Sequence, residues 1–450
     1  MKSVFKKIIP KAILNVRHLW YARKGARTFG YPSKDLYVIG VTGTSGKSSV
    51  VFYLRNLLEQ MGYTVGSLST IDFHIAGENK LNDQKMTMLG RMKIQEYLRE
   101  MVDKGCQIAI VEMTSEGRVQ YRHTYIETDM MVLTNLYPEH IQSHGSFKKY
   151  MQAKVDLFDY AAHYGADSKK EKAVEMISQI QGKPFSAKKI GYINNDHQQV
   201  DIEHAFLSFP FSEMYTFSGY NPDSCKNGKK WEVGDEFTLK NQGDDEHILT
   251  IEVQKDHLEL NKAIAAGALR ILGHEEREIK PLLLSVANPP GRVEVIQEAA
   301  EHGFTVVVDY AFEPVALNAL YRSVQKFAPK NIIHVTGTTG GGRDKPDAKA
   351  RLIAQKADIV IVTNEDPYHD DPKAIIDEMA DIVAQEGKVD SKTLFRIQDR
   401  SEAIFEALRV AQEGDLVLIT GKGSEQAMCI GDKKIPWDDR VEVRKALKRL

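Results

Sequence analysis

Gly43-Thr44-Ser45-Gly46-Lys47-Ser48-Ser49 follows directly on the apolar run Val38-Ile39-Gly40-Val41. Small residues at a strand-to-helix junction let successive backbone N–H groups converge on one anion. Lys47 adds a cation against the outer phosphates of a nucleotide, and the Ser48 hydroxyl suits Mg²⁺. The strict phosphate-loop pattern has Gly where this chain has Val41, so the mechanics are kept although the literal pattern is not. An ordinary strand-to-helix turn would explain the glycines. It would not explain Gly-Lys-Ser set before an amphipathic helix that carries Val50, Leu54, Leu57, Leu58 and Met61.

Three further groups could do chemistry. Glu112 closes the apolar run that starts at Ile108, and a carboxylate at the C-terminal end of a parallel strand faces the crevice where ligands bind; alone, it reads equally as a solvated strand-end acid. His140 and His144 stand four apart after another apolar run, Met130 to Thr134, in a pattern that a structural pair would also give. Lys154, in a helix that follows Gly145-Ser146, is by composition a surface lysine like any other.

The elements that position these groups follow a strand-helix rhythm from Asp35 onward: Tyr37 to Val41, Val65 to Ser69, Ile108 to Met113 and Met130 to Thr134, with helical segments between them. The rhythm predicts an α/β protein with a mostly parallel sheet. Residues 205 to 258 change to short alternating runs, among them Glu236 to Leu239 and Ile248 to Val253, which read as antiparallel strands. A helix from about His257 to Leu272 precedes the Pro289-Pro290-Gly291 break, beyond which strands recur at Thr305 to Asp309, Asn331 to Val335, Ile359 to Thr363 and Asp415 to Thr420. The expected organisation is a basic segment over 1–34, a central domain over 35–288 and a second α/β domain over 289–450.

Composition narrows the partners. The 450 residues hold 60 basic and 62 acidic side chains for a net charge of −2, so no overall charge favours nucleic acid, and no nucleic-acid motif stands out. Cys106, Cys225 and Cys429 are scattered without metal spacing, which fits a reducing compartment, and the cytoplasm is the expected location. The first 34 residues hold nine Lys or Arg and no acid, with Val4, Phe5, Ile8, Ile9, Ala12, Ile13, Val16 and Trp20 at helical spacing and Pro10 as a kink or a start. Two readings stay open: a contact with a membrane surface or an anionic substrate, or a helix packed on the next domain with a solvated basic face.

The ordered set of motifs resembles the Mur ligases of cell-wall synthesis. The set comprises Gly-Thr-Ser-Gly-Lys-Ser-Ser, Glu112 with Thr114-Ser115, Thr134-Asn135-Leu136 through Glu139-His140 to His144-Gly145-Ser146, and Ala153-Lys154. It continues with Asn261, Pro290-Gly291-Arg292, Asp309-Tyr310-Ala311, Gly340 to Asp344, Glu365-Asp366-Pro367, Gly421-Lys422-Gly423-Ser424-Glu425 and Trp437 to Arg440. Within the family it is most similar to the MurE branch, which adds the third residue of the stem peptide. The resemblance implies a central P-loop ATPase-like domain with a Rossmann-like C-terminal domain, and an ATP-dependent amide ligase, expected as a monomer, that joins a muramoyl-peptide acceptor to a free amino acid through an acyl phosphate.

By that resemblance Gly43, Thr44, Ser45, Gly46, Lys47, Ser48 and Ser49 would hold ATP, with Asn261, Arg292 and Asp309 as further nucleotide contacts and the C-terminal domain closing over it. Ser48 and Glu112 would bind one Mg²⁺, and His140 with a carbamylated Lys154 a second, since a carbamate can bind a hard cation and –NH₃⁺ cannot. Lys47, Glu112, His140 and Lys154 together form the expected catalytic set. Thr87, Thr114, Gln120 and Arg122 match acceptor-binding positions; Arg343, Glu365, Asp366, Gly421 and Glu425 match positions around the incoming amino acid.

Departures also carry information. Residues 1–34 stand where the family has its uridine-binding domain; Met88 replaces the second of two Thr, Thr114 a Ser, and Glu116 and Phe312 each a His. Tyr368 stands where diaminopimelate-selective members have an Arg that can grip a distal carboxylate, which favours lysine or another diamine, with Glu365, Asp366, Asp370 and Asp371 offering negative charge. The alternatives are a related ligase that extends another peptide or glutamate chain, of the folylpolyglutamate or cyanophycin synthetase kind, and a non-catalytic ATP-binding relative.

Overall fold

The computed structural model describes residues 11–82, 86–138, 144–195, 205–220, 233–242, 247–253, 256–341 and 346–450. The chain divides into two compact units, Met1–Ala287 and Asn288–Leu450.

The first unit is built on ten strands: β1 (Tyr37–Thr42), β2 (Val65–Leu68), β3 (Asp72–Ile75), β4 (Glu78–Leu81), β5 (Ile108–Glu112), β6 (Met130–Leu133), β7 (Ile190–Asn194), β8 (Glu213–Tyr220), β9 (Val233–Asn241) and β10 (His247–Glu252). They form one sheet in the order β10-β9-β8-β7-β6-β1-β5-β2-β3-β4. The strands from β8 to β2 run parallel, and antiparallel pairs extend both edges. The runs over 236–239 and 248–253 are therefore antiparallel as expected, but they continue the central sheet through β8. The β3-β4 hairpin escapes the sequence rhythm because its strands are four residues each; Ala76 and Gly77, both with positive φ (51° and 84°), close it as a two-residue turn.

Eight helices of this unit are α1 (Lys11–Thr28), α2 (Lys47–Gln60), α3 (Arg91–Asp103), α4 (Ser115–Val119), α5 (Phe147–His163), α6 (Glu171–Gln181), α7 (His257–Ile271) and α8 (Glu276–Ser285). Strand side chains alternate between two cores. Tyr37, Ile39 and Val41 join Leu54, Leu58, Ile264 and Leu269 of α2 and α7, whereas Val38 joins Ile94 and Leu98 of α3 and Phe158 of α5. Both faces of β1 are thus buried, which explains why it reads as a continuous apolar run.

Helix α1 departs from the expected apolar stripe. Ile13, Val16 and Trp20 are 60%, 68% and 54% exposed, while Ala22, Gly25 and Ala26 are buried. A Cβ on Gly25 would lie 3.0 Å from Met92 Cα, so the close approach of α1 to the start of α3 requires small residues. The packed face is the small-residue face. Val4, Phe5, Ile8 and Ile9 lie outside the described residues.

In the second unit β11 (Glu294–Val295), β12 (Thr305–Val308), β13 (Ile332–Thr336), β14 (Ile359–Thr363), β15 (Leu394–Ile397) and β16 (Leu416–Ile419) are ordered β11-β12-β16-β13-β14-β15, parallel except for β11. Helices α9 (Pro314–Ser323), α10 (Pro346–Lys356), α11 (Pro372–Gln385), α12 (Arg400–Val410) and α13 (Asp439–Leu447) accompany it, and β17 (Ala427–Ile430) pairs with β18 (Lys433–Pro436) in a separate hairpin. Ile404 and Leu408 of α12 and Val443 of α13 pack on Val306, Val335 and Ile419.

A fully buried ion pair ties this layer together: Arg400 Nε and Nη2 donate to the Asp439 carboxylate at 2.8 and 2.7 Å, and Nη2 also reaches the Thr420 carbonyl at 2.8 Å. Removing the carboxylate alone strands a buried guanidinium. Asp439→Ala is expected to cost about 3–5 kcal/mol, read as a lower urea midpoint for this unit.

Candidate functional site

The turn after β1 gathers the first unit's candidates. Gly43 (φ +152°) lies so close to β6 that a Cβ would sit 1.9 Å from Thr134 Oγ1, and Gly46 (φ +76°) precedes α2 where a Cβ would meet Asn261 Oδ1 at 2.4 Å. Both positions need glycine. Asn135 Oδ1 accepts from the Thr44 and Ser45 N–H groups at 3.1 and 2.9 Å, Thr134 Oγ1 donates to the Ser45 carbonyl at 2.7 Å, and the buried Tyr150 hydroxyl lies 3.1 Å from Thr44 Oγ1. Strand β6 and helix α5 thus hold the loop from behind. Ser49, the third residue of α2, is buried.

Two lysines converge on the same carbonyl. Lys47 Nζ donates to Gly43 O at 3.2 Å and Thr44 O at 2.9 Å, and Lys154 Nζ donates to Gly43 O at 2.6 Å. Burial, reinforced by the Lys47 charge, holds the Lys154 pKa well below the ordinary lysine range, with Glu112 acting in the opposite sense. Its ring neighbour is Tyr150, 4.7 Å from Nζ to centroid.

Glu112 faces the loop from the end of β5. Its two oxygens lie 3.1 and 3.0 Å from Ser48 Oγ, and it accepts from the Thr70 N–H at 2.9 Å. Thr70 Oγ1 is 3.2 Å from Glu112 Oε2 and 2.9 Å from Thr87 Oγ1, so Ser48, Glu112, Thr70 and Thr87 form one polar row. A hydroxyl and a carboxylate, both buried and both oxygen donors, fit a hard divalent cation.

Farther along, Thr114 Oγ1 caps α4 by accepting from the Gly117 N–H at 3.0 Å. Met88 fills the space beside Gly117, where a Cβ would be 2.4 Å from its sulfur. Arg122 donates through Nη2 to Gln120 Oε1 at 2.8 Å and through Nη1 to the Met88 carbonyl. His144 Nε2 is 3.0 Å from Ser115 Oγ, and burial lowers its pKa, with the Glu116 charge opposing and Lys154 adding to the effect. His140, Arg343 and Cys225 lie outside the described residues; Cys106 and Cys429 are free and buried.

In the second unit, a Cβ on Gly291 (φ +62°) would meet Ser424 N at 2.2 Å, so the Pro290-Gly291-Arg292 turn lies against the loop after β16. Asp309 accepts from the Val293 and Ala311 N–H groups at 2.7 and 2.6 Å, and the Arg292 guanidinium stands 4.2 Å over the Tyr310 ring. Tyr310 OH donates to Glu425 Oε1 at 3.3 Å. Lys422 Nζ donates to both Asp366 oxygens at 3.1 Å and to Glu425 Oε2 at 2.6 Å.

The acids expected to attract an ammonium group have structural partners. Asp366 Oδ1 also accepts from the Cys429 N–H at 2.7 Å, Asp370 accepts from the Gly341 N–H at 2.6 Å, and Asp371 caps α11. Glu365 Oε1 accepts from Thr339 Oγ1 at 3.1 Å, but its buried Oε2 has no hydrogen bond among the described residues. That oxygen would lie 2.4 Å from a Cβ on Gly421, and burial raises the Glu365 pKa. Tyr368 holds a left-handed backbone (φ 52°) and donates its N–H to Cys429 O at 3.2 Å.

Asn135, Tyr150 and Thr70 were not singled out by sequence. Asn135 sits in the Thr-Asn-Leu run, and its short amide after a buried strand was the available signal; Tyr150 and Thr70 offered none.

A glycine loop with a lysine at the head of a parallel sheet, faced by an acid from the neighbouring strand, defines a phosphate-binding α/β enzyme. A model described as "Mur ligase middle domain" matches residues 41–268, and one described as "Mur ligase, glutamate ligase domain" matches 291–423. The chain belongs to the Mur ligase family, and it is an ATP-dependent ligase that forms a C–N bond. It is similar to a UDP-N-acetylmuramyl-tripeptide synthetase of Roseiflexus, 30% identical over 94% of this chain and 81% of that protein. A UDP-N-acetylmuramoyl-L-alanyl-D-glutamate–2,6-diaminopimelate ligase of Clostridium tetani is 26% identical over 94% of this chain and 80% of its own. A folylpolyglutamate synthase structure of Mycobacterium tuberculosis shares the fold, with a TM-score of 0.63 at 15% identity, over 92% of this chain and 97% of that one.

Gly46→Ala forces a left-handed alanine against Asn261. The strain of about 1–2 kcal/mol should weaken ATP binding about tenfold, measured by calorimetry, with little change in the unfolding of the second unit.

Proposed function

We propose that the chain joins an amino acid to a muramoyl-dipeptide acceptor, in peptidoglycan precursor synthesis. The observation that carries this reading is the buried Lys154 beside Lys47, Ser48 and Glu112. ATP would lie with its outer phosphates along the Gly43–Ser49 N–H groups and Lys47, and Asn261, Arg292 and Asp309 are proposed as further nucleotide contacts. The acceptor carboxylate attacks the γ-phosphorus and ADP leaves; the incoming amine then attacks the acyl carbon and phosphate leaves.

Ser48 and Glu112 would hold one Mg²⁺, and Lys154 with His140 a second; the metal supplies charge neutralisation for phosphoryl transfer. Burial that depresses the pKa of an amine favours its uncharged form, the form that adds CO₂ and releases a proton to become a carbamate. Lys154 is therefore suited to that modification. Thr87, Thr114, Gln120 and Arg122 are proposed to meet the acceptor, and Arg343, Gly421, Glu425 and Glu365 the amino acid, with Asp366 supporting through Lys422. Tyr368 in place of an arginine favours lysine over diaminopimelate. We read the chain as a cytoplasmic monomer whose α1, with Ile13, Val16 and Trp20 beside Arg17, Arg23 and Lys24, suits a peripheral membrane contact.

The test is phosphate release by the full chain with ATP, Mg²⁺, bicarbonate and UDP-N-acetylmuramoyl-L-Ala-D-Glu across a panel of amino acids. Release should need both acceptor and amino acid, be greatest with lysine, and yield the tripeptide by mass. Lys154→Ala should lower the rate on the order of 10²-fold and abolish its bicarbonate dependence. No release with any amino acid, from protein that binds ATP, would overturn the acceptor assignment.

A further inference from the structure

Thr70 stands between the phosphate loop and the acceptor positions without belonging to either. It lies in the turn from β2 to β3, and the parallel register of β2 with β5, Leu68 opposite Val111, carries it alongside Glu112. Closure of that turn falls to its neighbour. Ser69 donates its N–H to the Asp72 carbonyl at 3.1 Å, and its hydroxyl oxygen accepts from the Ile71 and Asp72 N–H groups at 3.1 and 3.4 Å. Asn82 Nδ2 donates to the Ser69 carbonyl at 2.9 Å and holds the turn from β4's end. The Thr70 hydroxyl is therefore not needed by the turn, and it is directed to Glu112 and Thr87 instead, 3.2 Å from Glu112 Oε2 and 2.9 Å from Thr87 Oγ1.

The two oxygens of Glu112 are held unequally. Oε2 accepts from the Thr70 N–H at 2.9 Å and lies 3.2 Å from the Thr70 hydroxyl and 3.0 Å from Ser48 Oγ. Oε1 meets Ser48 Oγ alone among the described residues, at 3.1 Å. Glu112 is 1% exposed, and hydroxyls with one N–H are its hydrogen-bond partners there; it forms no ion pair among the described residues. A buried carboxylate served in this way lacks a cation, and the unequal partners indicate where one would enter: at Oε1 and the Ser48 hydroxyl, the side that Thr70 leaves open. A carboxylate only accepts and a hydroxyl has a single proton, so the Thr70 proton turns to Oε2 and Thr87 supplies its own to Thr70. The row is polarised toward the carboxylate.

We propose that Thr70 is a positioning residue for the ligase reaction: by holding Glu112 Oε2 through its N–H and its hydroxyl, with Thr87 behind it, it aims Oε1 and Ser48 Oγ at the divalent cation. This rests on the ligase reading above, which supplies the metal. Partners of a ligating carboxylate fix its orientation and its basicity, and their loss is felt as metal affinity while the ligands themselves stay in place.

The affinity of the full chain for a non-hydrolysable ATP analogue is measured calorimetrically in Mg²⁺ and again in EDTA, for the unaltered protein, Thr70→Val and Thr70→Ser. Thr70→Val should weaken binding in Mg²⁺ about tenfold and leave binding in EDTA unchanged, and Thr70→Ser, which restores the hydroxyl, should recover most of the loss. Thr70→Ala serves in the same comparison should the valine fold poorly. Affinity in Mg²⁺ unchanged by removal of the hydroxyl, an equal loss in EDTA, or a serine variant no better than valine overturns the proposal. An unaltered protein that binds the analogue equally with and without Mg²⁺ removes the metal site and overturns the ligase reading with it. The titration contains no acceptor, so a failure of ligation with the muramoyl-dipeptide leaves its result standing and refutes only the acceptor assignment.

Discussion

Two lysine side chains point at one carbonyl oxygen. Lys47 and Lys154 both donate to Gly43 O, in a place closed to water on the Lys154 side, and two ammonium groups cannot share such a position without compensation. Two kinds of relief exist: an anion can arrive at the loop, or one amine can lose its charge. The structure distributes these between the residues. Lys47 heads α2 and is only partly buried, whereas Lys154 is enclosed, and burial together with the Lys47 charge lowers its pKa.

The constraint works only because the loop cannot move away. Thr134 and Asn135 grip it from the turn that follows β6, Tyr150 from α5, and Asn261 of α7 occupies the space beside Gly46. Each of these comes from a different element, and each element is fixed by one of two cores that meet the alternating faces of β1. Precision in the loop is a property of the whole sheet.

Much of this was legible in the sequence. Strand β1, the loop, β5 ending in Glu112 and the alternation beyond residue 305 follow from apolar runs and small residues, because buried parallel strands are nearly uniform in hydropathy. The β3-β4 hairpin and the joining of β8 to β10 to the central sheet were not, since short strands and strand order depend on pairing partners far away in the chain. The face on which α1 packs does not follow from apolar spacing for a physical reason: a close helix crossing selects Ala22, Gly25 and Ala26 over larger apolar residues, so hydrophobic periodicity points away from the contact. Lys154 shows the same limit. Nothing in its neighbourhood of sequence indicates a buried amine, which only the packing of α5 under the loop creates.

Charge satisfaction separates scaffold from site across both units. Arg400 with Asp439, and Lys422 with Asp366 and Glu425, are buried charges met by opposite charges; these fix the backbone around Gly421 and Pro367. Even the acids between Glu365 and Asp371 are largely committed in this way, so their sign alone says little about which amine the enzyme accepts. Glu365 is the exception, with one buried oxygen unbonded next to Gly421. Among the described residues of the first unit, Arg91 Nη2 at the start of α3 and Arg122 Nε are buried without a hydrogen bond. A folded chain tolerates such imbalance at a cost, and the places where it does so mark where ligands of the opposite charge complete the structure.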